Sequence, residues 1–89
     1  MNAREWIEAF AEKLGTAPPS AEEWSQLLDL AGVAAHSSER VAAPVSCWVA
    51  ARAGRTPAEA LAASRELEQR EREQRELEQR ELEQDYESE

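Results

Sequence analysis

The chain has 89 residues, room for one domain, and a domain of that size buries only roughly 60% of the surface its unfolded chain exposes. It carries 19 acidic and 10 basic residues, a formal net charge of -9, with no basic stripe to hold phosphates, which argues against nucleic acid and anionic membrane surfaces as partners. The lone cysteine, Cys47, excludes an internal disulfide; with no leader-like apolar segment and no run near the roughly 20 apolar residues of a membrane span, the cytoplasm is the expected compartment.

Helix one is signalled by Asn2 as N-cap with Glu5 three residues on, a pairing in which each side chain can satisfy a backbone N–H. Trp6, Ile7, Phe10, Ala11 and Leu14 follow at three- and four-residue steps and form an apolar face. Gly15 suits a left-handed C-cap, and Thr16-Ala17-Pro18-Pro19 reads as a stiff connection. Helix two repeats the start signal with Ser20 and Glu23, presents Trp24, Leu27, Leu28 and Ala31, and ends near His36-Ser37-Ser38. Gly32 inside it costs about 1 kcal/mol relative to alanine, which predicts a close helix crossing. Helix three has Pro44 in its first turn, then Val45, Trp48, Val49 and Arg52, and Gly54 closes it. Glu39 to Ala43 fits either a loop or a short helical turn.

Helix four has the clearest start, with Thr56 as N-cap, Pro57 in the first helical position and Glu59 completing the box. No glycine, proline or β-branched residue interrupts Ala58 to Gln84, so the helix can run about 40 Å. From Arg65 it repeats Arg-Glu-Leu-Glu-Gln in four tandem pentads, with Arg72 replacing leucine in the second. The expected class is all-α: a compact bundle of three short helices plus a long fourth helix extending as a charged pentad-repeat tail. The expected division is a head at 1–63, a tail at 64–84 and a frayed end at 85–89.

Each pentad advances the helix by about 140°, so Leu67, Leu77 and Leu82 do not form one seam. A two-stranded coiled coil needs an apolar residue every 3.5 on average, which disfavours a leucine zipper. The repeat does supply (i, i+4) pairs, Glu66 with Arg70, Glu68 with Arg72, Glu71 with Arg75 and Glu76 with Arg80, each worth about 0.2–0.5 kcal/mol. Two states fit: a lone charge-paired rod, or an assembly in which each tail meets neighbours on several sides. Burial of the three leucines would make the tail an assembly device; exposure would make it a spacer and put the function in the head.

No catalytic constellation, metal cluster or phosphate loop is apparent, and no cofactor is implied. His36 is the only histidine and fits the C-terminal end of helix two, where an imidazole can cap the negative end of the helix dipole. Cys47 beside Trp48 reads as a small core hydrophobe. Glu39 and Arg40, at the junction of helices two and three, either lock the turn by pairing or face a ligand.

Read together, Leu27-Leu28-Asp29-Leu30-Ala31, Ala35-His36-Ser37-Ser38-Glu39-Arg40 and Ala42-Ala43-Pro44, with Trp6 and Leu14-Gly15, resemble a small uncharacterised domain family of high-GC bacteria. Its pattern includes Leu-Asp-Leu-Ala, Ala-His-x-x-Glu-Arg and Ala-Ala-Pro. The resemblance covers roughly residues 3–55, with Val41 where proline is expected and the pentad tail outside it. In that family the domain stands alone or is fused behind a molybdenum-cofactor guanylyltransferase domain. It implies a helical domain linked to molybdopterin metabolism with His36, Glu39 and Arg40 as positions to test, and no transferase activity.

The function expected is a non-enzymatic interaction or assembly module, a homo-oligomer associating through the head and the tail. The alternative is an accessory protein that binds a partner or ligand in molybdenum-cofactor metabolism through the His36–Arg40 junction. The interaction candidates are His36, Glu39, Arg40, Leu67, Leu77 and Leu82.

Overall fold

A computed structural model describes residues 1–88, with side chains as far as Asp85. The described residues form four helices, α1 (Ala3–Leu14), α2 (Ala21–Ser37), α3 (Ala42–Arg52) and α4 (Pro57–Ser88), and no strand.

The start signals work as hydrogen bonds. Ser20 Oγ accepts from the Glu23 N–H while the Glu23 carboxylate accepts from the Ser20 N–H, at 3.1 and 2.9 Å. Thr56 and Glu59 repeat the reciprocal pair at 3.1 and 3.0 Å. The bonds from the backbone N–H, and then from the hydroxyl, hold the Glu23 and Glu59 carboxyls below the usual carboxylate range. At α1 only half of the box forms, the Glu5 N–H donating to Asn2 Oδ1 at 2.8 Å. Gly15 and Gly54 both adopt positive φ. The residue after each reaches back across the last turn, Thr16 N–H to the Ala11 carbonyl and Arg55 N–H to the Ala50 carbonyl, satisfying helix-end carbonyls.

The packed unit is α2 against α3 and α2 against α4. Leu30, Ala60 and Leu61 are its buried centre, with Val33, Cys47 and Ala50 packed around them. Leu30 lies beside Ala60 and Leu61, and seven residues on Ser37 Oγ donates to Glu68 Oε2 at 3.3 Å. The two helices therefore run in the same direction, and α3 returns antiparallel to both. Ser46 and Ser64 turn their hydroxyls onto their own helices, to the Ala43 and Leu61 carbonyls at 2.8 and 2.7 Å. They therefore pack as small residues and leave no orphan donor.

The chain is all-helical with a long fourth helix, as expected, and two finer expectations change. α1 does not join α2 and α3 in a closed three-helix core. Its Ile7 is half-buried and Ala11 buried, but a gap of about 310 Å³ stays open between Ala3, Ile7 and the Trp24, Leu27 and Leu28 side of α2. Trp6, Phe10 and Leu14 remain 53%, 46% and 64% exposed. One face of α2 cannot cover an apolar arc this wide while its other face holds α3 and α4. Gly32 is not a close crossing: a Cβ built there meets nothing within 4 Å. As expected, α4 is one helix through both head and tail. Ser64 and Glu68 are half-buried against the head, and the helix continues through Asp85 to Ser88 because no residue in that stretch breaks it. Glu89, the last residue of the expected frayed end, lies outside the described residues.

The free part of α4 makes the molecule long. Its extents are 65 × 25 × 19 Å and its radius of gyration is 18.3 Å, against about 12 Å for a globule of this length.

Candidate functional site

Helix α3, Ala42–Arg52, is apolar nearly all round, and such a helix is stable only when covered on more than one side. Its inner side, with Cys47 and Ala50, meets the Leu30 cluster. Its outer side carries Val41, Val45, Trp48 and Val49, all exposed, with Trp48 61% accessible. The Arg52 guanidinium lies over the Trp48 ring at 5.4 Å, shielding one face of the indole. Between α3 and α4 runs an open groove of about 470 Å³, floored by Leu30 and walled by Val45, Val49, Ala53, Ala60 and Ala63. Small residues on α4 make it a slot that takes large side chains.

A second apolar patch is on α1. Trp6 and Phe10 stack at 5.0 Å between ring centroids, 20° from parallel, and Leu14 extends the row by one turn. At the other edge of the helix the Arg4 guanidinium sits 5.5 Å from the Trp24 ring, tying α1 to the start of α2.

Among the residues singled out in the sequence, His36, Glu39 and Arg40 are all exposed at the α2–α3 junction. Neither Glu39 nor Arg40 forms a side-chain hydrogen bond or ion pair among the described residues. The turn is held instead by backbone bonds, Ala42 N–H to the Glu39 carbonyl at 3.0 Å and Ala43 N–H to the Arg40 carbonyl at 3.2 Å. The locking role therefore belongs to the main chain. Glu39 borders a shallow depression with Ser38, Val41 and Val45. Leu67 is brought to the same end of the molecule, lining a cleft with Ser37, Ser38, Ser46 and Glu68. Leu77 and Leu82 lie along the free helix beyond it, and within one chain all three leucines are exposed.

Two of the expected tail pairs form, Glu68 with Arg72 and Glu71 with Arg75, each at 3.9 Å. Gln69 to Glu73 and Gln74 to Glu78 add amide bonds at the same spacing, 3.2 and 3.4 Å. Cys47 packs against the core cluster, as a small hydrophobe does. Among the described residues no group of three or more histidine, cysteine, aspartate or glutamate side chains could hold a metal ion, and no helix is long and apolar enough to cross a membrane.

A family described as "Domain of unknown function (DUF6457)" matches residues 1–85. The chain belongs to that family. No curated protein and no solved structure matches it. The DUF6457 match corrects the expectation that the pentad tail is outside the family pattern, since it extends through all four repeats. The fold explains this, because α4 supplies Ala60 and Leu61 to the core and continues without a break into the repeats.

The sequence reading missed the exposed outer faces of α1 and α3 in this DUF6457 domain, having assigned Trp6, Phe10, Leu14, Val45, Trp48 and Val49 to helix faces without asking what would cover them. One signal was available. Ala-Ala-Pro-Val-Ser-Cys-Trp-Val-Ala-Ala-Arg has no polar side, so two neighbouring helices could not bury it all.

Proposed function

We propose that this DUF6457 domain is a non-enzymatic interaction module, acting in the cytoplasm, that self-associates through its head and carries a charged helical spacer. One observation carries the reading: two rows of large apolar side chains, Trp6-Phe10-Leu14 on α1 and Val41-Val45-Trp48-Val49 on α3, stand exposed on a single small chain. Contiguous patches of that kind mark contact surfaces, and a domain this small gains most from burying them against another chain. The exposed Leu67, Leu77 and Leu82 support a spacer role for the tail. Sedimentation equilibrium on the full chain, from micromolar to millimolar, tests the reading. The expected result is a discrete oligomer whose mass survives removal of the residues after Gln74; a monomer throughout ends it.

A second reading rests on the unpaired charges of Glu39 and Arg40 beside the Val41–Val45 depression. In that reading the domain is an accessory protein of molybdenum-cofactor metabolism in high-GC bacteria, docking a guanylyltransferase domain through the His36–Arg40 junction. The resemblance of Ala-His-x-x-Glu-Arg and Ala-Ala-Pro to a family fused behind such domains supports it. Alanine at His36, Glu39 and Arg40 together should abolish binding to that domain in pull-down while circular dichroism and oligomer mass stay unchanged. Unchanged binding, or no binding by the unsubstituted chain, would remove the reading.

A further inference from the structure

We infer that the occupant of the α3–α4 groove is the Trp6-Phe10-Leu14 face of a second copy of this chain, in a reciprocal two-fold dimer. The inference deepens the self-association proposed above and depends on it.

The apolar arc of α1 divides into two parts. Trp6, Phe10 and Leu14 span about 80° of the helix surface, and Ile7 and Ala11 continue the arc toward α2. The second part is in use, with Ile7 half-buried beside Trp24, Leu27 and Leu28 and Ala11 buried. The first part has no partner, so α1 can keep its seat on its own α2 and still dock elsewhere. Glu5, Glu8 and Glu12 lie on the side of α1 opposite Phe10, so docking buries no carboxylate.

The groove is the counterpart shape. It is lined by alanines and valines over Leu30, with Arg55 its one charged lining residue, already paired to Glu59 at 3.5 Å. Stacked aromatic rings on one surface and an alanine-lined slot on the other are a large-to-small match. The chain cannot make this contact with itself in the observed fold. Trp24 and Leu28, on the α1 side, lie about 120° and 160° around α2 from Leu30 on the groove floor.

Area selects the reciprocal arrangement and the second copy. The exposed parts of Trp6, Phe10, Leu14, Val45 and Val49 come to roughly 500–550 Å² of surface per chain, so a two-fold exchange buries on the order of 1,000–1,100 Å². One-way docking buries about half of that, below what a stable interface needs. An α3-to-α3 pairing would leave the α1 row wet; the exchange covers both rows in one interface, and two-fold closure leaves no open face to propagate.

The test uses full-length chains in a Cys47→Ser background. One carries Phe10→Cys, the other Val49→Cys and a mass label, and the mixture is mildly oxidised. The expected product is a disulfide-linked heterodimer of the two chains. A doubly substituted single chain should likewise link between copies rather than within itself. A self-association that persists without the Phe10–Val49 link, or a link confined to one chain at high dilution, overturns the exchange and leaves the self-association reading standing. A monomer at every concentration removes both. As an independent check, Trp6→Glu with Phe10→Glu should weaken the dimer at least 100-fold with the far-ultraviolet dichroism per residue retained, because neither side chain belongs to the Leu30 cluster. An unchanged dissociation constant in a folded double variant would overturn the exchange.

Discussion

Leu30 is the residue on which the core turns. It is 3% exposed, and Ala60, Leu61, Val33, Cys47 and Ala50 all pack around it. Leu30→Ala should cost about 3 kcal/mol in urea denaturation, the transfer of the side chain plus the cavity left behind. Leu82→Ala, on the free helix, should cost no more than about 0.5 kcal/mol; equal losses would mean that the tail is packed in the folded chain. The capping glutamates give a pH dependence whose sign is fixed. Glu23 and Glu59 have carboxyl pKa values lowered by bonds from Ser20 and Thr56. Their contribution is therefore complete above the ordinary glutamate range and is lost as the pH falls through and below it, about 4.3 downward. Glu59→Gln should flatten the acid limb of a thermal-midpoint profile by lowering the midpoint at neutral pH while leaving the acid end almost unaffected. These caps were legible because an N-cap and its partner are three residues apart and need no tertiary context. The fate of Trp6 was not legible, because a helical period identifies an apolar face without naming what covers it.

At the scale of elements, α4 is both a core helix and a rod, and the change occurs after the head's last contacts near Glu68 and Glu71. A chain ending at Gln74 should melt no lower than the full chain. One ending at Ser64 should lose several degrees, because it removes Leu67 and the Ser37–Glu68 bond. Equal midpoints for the two truncations would show that α4 contributes nothing past Ser64. The repeats themselves depend on local pairing, Glu68 with Arg72, Glu71 with Arg75 and glutamine with glutamate at the same spacing. All but the half-buried Glu68 are exposed, so each pair is worth a few tenths of a kcal/mol and is screened by salt.

The whole molecule joins a small packed head, with its apolar rows exposed, to a strongly acidic rod. Residues 61–89 hold eleven of the 19 acidic residues and five of the 10 basic ones. Two copies brought together by their heads therefore work against the repulsion of their tails. Added salt should tighten the dimer by screening that repulsion while leaving the apolar contacts in place. Association also predicts a thermal midpoint that rises with protein concentration. A midpoint independent of concentration, in a chain sedimenting as a monomer, would place the apolar rows outside self-association.

By itself the sequence determined the helices, their order and nearly all their ends, since caps, glycine stops, proline starts and apolar period are written within a few residues of where they act. It also set the spread of the tail leucines around the helix, because a 140° step follows from the pentad alone. The tertiary structure decided which apolar faces are spent and which are left over. It placed Leu30, Ala60 and Leu61 together and left Trp6, Phe10 and Trp48 outside. Those outcomes depend on how much surface α2 can share among three neighbours, a quantity set by helix directions and distances rather than by any local run of residues.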